Sequence, residues 1–356
     1  MRIGVVTTSY PRFAGDLAGS FVAAHVAALR ELGHEVEVIA AGEPCGDPRV
    51  TRIASPLFYA GGAPEALERG ARGALGFTVR HALAVARRAR RWDRVVAHWL
   101  APSAIAALAG RAPLTAIAHG GDVHLLRRTR LLAPVLHALR ARGARLAFVS
   151  DELRAIARAA APELAGWLGG ALVQPMGVPL AHFAALGRAA REPPVILFVG
   201  RLVPVKGTDV AIRALGALAG AARLVIAGEG PERGALEQLA AGAPVEFVGA
   251  VDPAARDRLL REAAVVVVPS RVLANGRSEG TPTIALEALA AGVPIVASAV
   301  GGLRALAPAA ELAPPDDPRA LAAALDRALV APRAAEELQR AVAGLDWPEV
   351  ARRLLG

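Results

Sequence analysis

Two pairs of residues in this chain combine type and spacing suited to chemistry: Arg201 with Lys206 in "LFVGRLVPVKGTDV", and Glu279 with Glu287 in "RSEGTPTIALEALAAGVPIVAS". Lys206 is the only lysine among 41 basic side chains. The two cations leave the end of an apolar, strand-like run, just before a helix that begins near Thr208. A helix start offers free amide donors, arginine grips phosphate oxygens in a planar fork, and lysine can follow a leaving group as a compact point charge. Together they make a site for a diphosphate, although an isolated R-x4-K pair is more often two solvated turn charges. The carboxylates suit a different ligand. Thr281 reads as a helix N-cap, Pro282 as the first helical position and Gly292 as lying just past the end. Glu279 then falls in a loop and Glu287 on a helix, each able to accept hydrogen bonds from sugar or ribose hydroxyls. The amides of Gly280 to Thr283, at the helix start, favour negative charge nearby.

Short apolar runs alternate with helical patterns along the chain: "RIGVV", "HEVEVIA", "RVVAHW", "LTAIAH" and "RLAFVS", then "VILFVG", "RLVIAG", "VEFVG", "VVVVPS" and "PIVAS". Between them lie segments such as "SFVAAHVAALRELGH", apolar at helical spacing and stopped by Gly33. The rhythm predicts an α/β chain of parallel sheets covered by helices on both faces. A polar stretch, His182 to Pro194, reads as a linker between a first domain, 1–181, and a second, 195–345. In doubly wound sheets ligands bind beyond the carboxyl ends of strands, so a ligand shared by both domains is expected in a central cleft.

Composition narrows the classes. One cysteine, Cys45, excludes an internal disulfide and any multi-thiolate metal site and fits a reducing compartment, so the expected location is cytoplasmic. No signal peptide and no apolar run of membrane-spanning length is evident. Residues 1–180 hold 22 arginines against 13 acidic residues, whereas 181–356 balance at 19 of each sign. The excess points to an anionic surface or substrate for the first half. Nucleic acid is the poorer partner, because no aromatic RNA-binding signature, zinc-finger spacing or basic zipper occurs. The run Arg80 to Arg94, with Trp92, reads equally as a solvated helix face or as a patch for anionic lipid. "GEGPERG" has the wrong spacing for a dinucleotide fingerprint, which disfavours a nicotinamide oxidoreductase. His119, Asp122 and His124 of "HGGDVH" are conceivable metal ligands, but such a Gly-rich cluster more often shapes a binding surface. His98, closing a strand, is as well explained by packing as by substrate contact.

The motifs "GRLVPVKG", "LVIAGEGP", "VEFVGAV" and "EGTPTIALEALAAGVPIVAS" followed by "GG", with "AHGGDVHLLRR" and "FVSDELRAIA" earlier, resemble glycosyltransferase family 4 over nearly the whole chain. That family has the GT-B fold, two Rossmann-like doubly wound domains facing a central cleft, and retains anomeric configuration. The resemblance implies that Arg201 and Lys206 hold the donor diphosphate, Glu287 the ribose and Glu279 the donor sugar. It implies that His119 approaches the transferred sugar and that Gly19 brings its backbone near phosphates or acceptor. Gly280, Thr281, Thr283 and Val251 are the further expected donor contacts, Val251 through backbone atoms near the base. Residues 346–356 are expected to form a C-terminal helix packing back toward the first domain. An acidic residue that often follows "GG" is replaced here by Leu303.

The function expected is metal-independent transfer of a sugar from a UDP-, GDP- or ADP-sugar, with no cofactor, to a glycan, glycolipid or small hydroxyl acceptor. Lipid-linked or cell-envelope saccharides are the favoured acceptors, worked on by a cytoplasmic protein held peripherally at an anionic membrane surface. An epimerase on the same fold and a catalytically silent nucleotide-sugar-binding subunit are the alternatives. An epimerase would act without an acceptor, and a silent subunit would bind without turnover.

Overall fold

The computed structural model describes residues 1–13, 16, 19–43, 47–55, 72–189 and 191–356; Cys45 lies outside them. The chain divides into two compact units, one made of residues 1–177 and 347–356, the other of residues 178–346.

The first unit is built on a seven-stranded sheet whose pairings are all parallel. Its strands are β1 (Arg2–Val6), β2 (Glu35–Ala41), β3 (Val50–Ile53), β4 (Arg94–His98), β5 (Leu114–Ala118), β6 (Arg145–Phe148) and β7 (Leu172–Val173), in the order β3-β2-β1-β4-β5-β6-β7. Central β5 is buried at every position, whereas edge strand β3 is buried only at Val50, the burial gradient expected when helices cover both faces. Helix α1 (Ser20–Glu31) leaves Gly19 in the left-handed region and stops before Gly33, also left-handed. Helix α2 (Arg72–Arg88) and helix α3 (Gly121–Arg128) follow.

The second unit repeats the plan with six strands: β8 (Val195–Val199), β9 (Arg223–Ala227), β10 (Val245–Gly249), β11 (Val265–Val268), β12 (Ile295–Ser298) and β13 (Ala310–Ala313), in the order β10-β9-β8-β11-β12-β13. Alternation along β8 sends Ile196 and Phe198 into one core and Val195 and Leu197 into the other. Helices α4 (Thr208–Leu215), α5 (Pro253–Glu262) and α6 (Thr283–Ala290) flank this sheet. In both sheets the order reverses beside the unit's first strand, between β1 and β4 and between β8 and β11, which is where doubly wound sheets open a crevice.

The unit boundary falls at Gly177 and Val178, not inside 182–194. The residues read as a linker are packed onto the second unit: Phe183 is buried, His182 reaches Asp257 at 2.7 Å, and the Ala189 N–H donates to the Arg261 carbonyl. Helix α7 (Trp347–Leu355) belongs to the first unit, with Trp347 buried so close to Gly177 that a Cβ there would lie 2.5 Å from the indole. Trp92 is not a surface residue. It is 5% exposed, lies over Gly4, and donates from Nε1 to Glu37 Oε2 at 3.2 Å. Glu37 also pairs with Arg88, while Arg87, Arg90 and Arg91 stay exposed. Among the described residues no helix is long and apolar enough to cross a membrane.

The loop carrying Arg201 rests on "GEGP". A Cβ on Gly228, whose φ is 153°, would lie 1.8 Å from the Gly200 carbonyl oxygen, and one on Gly230 would lie 2.2 Å from that of Leu202. Main-chain bonds run from Gly200 to Ala227 and from Leu202 to Glu229. Gly228→Ala is expected to destabilise the second unit by about 2–3 kcal/mol through strain at this contact. Scanning calorimetry checks it, and an unchanged transition would remove the support role assigned to the glycine.

Candidate active site

At the carboxyl end of β8 the chain makes a short turn, Pro204–Lys206, before Gly207 starts α4 in the left-handed region. Gly207 is needed there because a Cβ would lie 2.0 Å from the Pro269 carbonyl oxygen at the end of β11. The turn delivers Lys206, whose stem lies along Gly200 and whose Nζ donates to Glu279 Oε2 at 2.9 Å. The two side chains are 17% and 18% exposed, so the ion pair is shielded but reachable. An ammonium has three donors, and this contact uses one, leaving two for further acceptors. Arg201 is exposed at the end of the same strand.

Glu279 is held from behind by Gly301 and Gly302. A Cβ on Gly301 would lie 1.8 Å from the Glu279 carbonyl oxygen, one on Gly302 would lie 2.2 Å from Thr281 Oγ1, and the Gly302 N–H donates to the Gly280 carbonyl. The "GG" motif is therefore the backstop of the Glu279–Thr281 loop. Leu303, in the position where an acidic residue was expected from the resemblance, is buried in the core. Helix α6 starts at Thr283, so Pro282, not Thr281, is its N-cap residue, and no side chain caps it. Proline sets the entry with its fixed φ and the Ala285 N–H reaches the Pro282 carbonyl.

Glu287 emerges from the otherwise buried α6 and meets Arg256 of α5 at 3.2 Å. Arg256 also binds Asp257, which binds His182, and lies over the Phe183 ring. Burial pushes the Glu287 carboxyl up from its ordinary value, and the Arg256 guanidinium works against that rise. The two glutamates thus have separate cationic partners, Lys206 and Arg256. Val251 lies partly buried just after β10.

The first unit gathers a second constellation at its own switch point. His119 follows β5, His98 closes β4, and His25 lies on α1. His25 Nδ1 is 3.0 Å from His98 Nε2, and His98 Nδ1 is 3.0 Å from His119 Nε2. Phe21 and Trp99 pack against the His119 ring at 5.1 and 4.9 Å, and Trp347 stacks on His25. Trp99 adopts a φ of 71°, a strained conformation for a bulky residue, fixed by bonds from its N–H to Ile117 and from Ala104 to its carbonyl. Asp122 pins the loop. Its buried carboxylate accepts from the main-chain N–H groups of Leu100 at 2.6 Å, Gly120 at 2.9 Å and His119 at 3.1 Å. Both oxygens accept main-chain hydrogen bonds, so Asp122 shapes the loop. Among the described residues no three His, Cys, Asp or Glu side chains group to hold a metal ion. Gly19, with a φ of 72°, makes its close approach to the Ser9 main chain, where a Cβ would lie 2.3 Å from the carbonyl oxygen.

Residues 18–163 match the family model described as Glycosyltransferase Family 4, and residues 193–331 match Glycosyl transferases group 1. The chain belongs to glycosyltransferase family 4. A segment of 141 residues is 43% identical to a GDP-mannose-dependent alpha-(1-6)-phosphatidylinositol dimannoside mannosyltransferase of Mycobacterium tuberculosis, covering 36% of this chain and 35% of that protein. A D-inositol 3-phosphate glycosyltransferase of Acidothermus cellulolyticus is 37% identical over 186 residues, covering 46% of this chain and 40% of the relative. These matches therefore span well under two thirds of the relatives' own lengths. The structure of sucrose-phosphate synthase from Thermosynechococcus elongatus superposes with a TM-score of 0.71 at 22% identity, covering 99% of this chain and 97% of that one. That likeness is one of fold, and the fold of this family 4 member is GT-B, with two Rossmann-like units.

Two features of this family 4 chain, Arg256 and the joining of three histidines, escape a linear reading. Arg256 carries no local signal. His25 and His98 lie 94 and 21 residues from His119 and meet it only because β4 and β5 are neighbours and α1 lies beside them. Asp122 had a signal: an aspartate three residues after His119 is placed to accept local main-chain N–H groups.

Burial holds the His25 ring down to about 4 and His119 to about 3, with His98 well below the ordinary 6.5; the neighbouring rings add to the effect at His98 and His119. Buried His81 falls to about 4 for the same reason. A depressed folded value means that the unfolded chain binds these protons first. The stabilisation is fully present above pH 6.5 and is lost as pH falls toward the depressed folded values. All four tryptophans, at 92, 99, 167 and 347, lie in the first unit, so their fluorescence reports its unfolding alone. The urea midpoint is expected to drop steeply between pH 7 and pH 5; a flat midpoint would show that the rings are not held neutral.

Proposed function

We propose that this protein is a metal-independent, retaining hexosyltransferase that moves a sugar from a nucleoside diphosphate sugar to a hydroxyl acceptor. The observation that carries the reading is the shielded Lys206–Glu279 pair at the carboxyl end of β8, beside the start of α4. In this reading Lys206 and Arg201 bind the diphosphate, Glu279 the donor sugar and Glu287 the ribose. Gly280, Thr281 and Thr283 line the donor site, Val251 meets the base through its main chain, and His119 addresses the transferred sugar.

The sugar C1–O bond breaks with its electron pair going to the diphosphate, the acceptor oxygen bonds to C1, and the acceptor proton passes to the departing phosphate oxygen. No protein nucleophile is required. Fixed cations and helix amides stabilise the charge that develops on the leaving group, the role a metal plays elsewhere. GDP-mannose is the first donor to test, because the mycobacterial relative is named for it. That relative's named acceptor is a phosphatidylinositol dimannoside, which favours a lipid-linked or cell-envelope saccharide here.

Lys206→Ala is expected to lower kcat by about 10²-fold or more, with a smaller loss of donor affinity, since the ammonium acts most on the transition state. Transfer by the wild type should persist in saturating EDTA. Comparing GDP-, UDP- and ADP-sugars by thermal shift and then by turnover, with and without acceptor, tests the assignment. Wild-type turnover in the variant, or loss on chelation with rescue by a divalent ion, would overturn it.

The membrane reading moves from Trp92 to α2. Leu75, Val79 and Leu83 repeat every four residues on one face of that helix and are 73%, 51% and 51% exposed, with Arg87, Arg90 and Arg91 exposed at and just beyond its end. An apolar stripe ended by arginines suits the surface of an anionic bilayer at the cytoplasmic face, each cation contributing about 1 kcal/mol. Salt-sensitive sedimentation with anionic but not neutral liposomes is expected, weakened by charge reversal at those arginines and by Leu83→Gln. Equal recovery in the supernatant with both lipids at low salt would favour a small, freely diffusing acceptor.

A further inference from the structure

The His25–His98–His119 row fixes where its hydrogens sit. In both pairs the ring centres are 5.2 Å apart while the facing nitrogens are 3.0 Å apart, so the rings meet end to end and each contact is a hydrogen bond with one proton in it. Three neutral imidazoles carry three N–H groups. Two fill the contacts, and the third must sit at one end of the row: on His25 Nε2 or on His119 Nδ1.

The ends are unlike. His25 is fully buried under the Trp347 ring, and its Nε2 has no hydrogen-bond partner among the described residues. A buried N–H without an acceptor costs about 1–3 kcal/mol and is rarer in folded proteins than an unfilled acceptor. His119 is only partly buried and its Nδ1, unlike His25 Nε2, is not a buried nitrogen without a partner, so an N–H there can be met by a ligand or by solvent. The row therefore runs one way: His25 Nδ1–H donates to His98 Nε2, His98 Nδ1–H donates to His119 Nε2, and His119 presents Nδ1–H.

We propose that His25 and His98 are positioning residues that lock His119 as a neutral hydrogen-bond donor at Nδ1, unable to act as a general base. On the transfer reading above, on which this part rests, His119 recognises a lone pair, such as that of a sugar hydroxyl oxygen. The acceptor proton must then leave by another route, which agrees with its passage to the departing phosphate. Burial that keeps all three rings uncharged supports the arrangement.

The test is the imidazole ¹⁵N spectrum of histidine-labelled protein at pH 7, with His119 assigned from His119→Asn. His119 is expected to show a protonated Nδ1 and a bare Nε2. His98→Phe removes the donor to Nε2 and should move the proton to His119 Nε2; His98→Asn, which can restore a donor, should move it back, and kcat should follow the tautomer by about tenfold for one hydrogen bond. If the buried variants do not fold, the wild-type spectrum still decides. A His119 with Nε2–H, or any of the three rings carrying both N–H protons at pH 7, overturns the proposal. The spectrum needs neither donor nor acceptor, so it stands or falls separately from the transferase assignment.

Discussion

A parallel sheet leaves two adjacent strand ends uncovered where its order reverses, because the connections from those strands cross to opposite faces. Both sheets of this protein place their polar side chains at that opening. In the second unit the ends of β8 and β11 bring Gly207, next to Lys206, against the Pro269 carbonyl. In the first, His98 closes β4 at the opening, and His119 follows β5, one strand further out. Everything else in each unit can be understood as what it takes to keep that opening polar and rigid while the rest of the strand stays dry.

The second unit achieves rigidity with main chain alone. Gly228 lies against Gly200, Gly207 against Pro269, and Gly301 against Glu279, each at a separation that no Cβ could occupy without displacement. Side chains packed between those loops would have given them play, since rotamers can change. Direct contact between backbones removes that freedom, so the loops that carry Lys206 and Glu279 are each held by peptide geometry. The first unit uses a side chain for the same purpose: one buried carboxylate, Asp122, gathers the N–H groups of Leu100, His119 and Gly120 from two loops.

What could be read along the chain follows from this division. Central strands are continuous apolar runs and were legible, as were the start of α4 near Thr208 and the span of α6 from Pro282 and Gly292. The edge strands β3, β7 and β13 were not, because "VTRI", "LV" and "AELA" are short and only half buried. Lys206 and Glu279 stood out by spacing although 73 residues separate them, since each sits in a motif whose glycines are local. The histidine row did not, because its members are joined only by strand order, and Trp92 misled because an indole beside arginines looks the same in a sequence whether it faces solvent or lies over Gly4.

The two constellations show opposite treatments of a titratable group. Lys206 and Glu279 remain partly exposed and compensate each other's charge, so an anion can enter by sharing an ammonium that is already oriented. His25 and His98 are buried where charge is too costly to hold, and on the proposed arrangement what survives is direction: a row of neutral rings whose hydrogens point toward the open end. A charged His119 would repel a developing positive centre on a sugar and bind phosphate indiscriminately. A neutral one offers a single directed N–H, which distinguishes oxygen positions without altering the charge of the site. Burial of two further histidines, expensive in any fold, is explained if direction is what the third one needs.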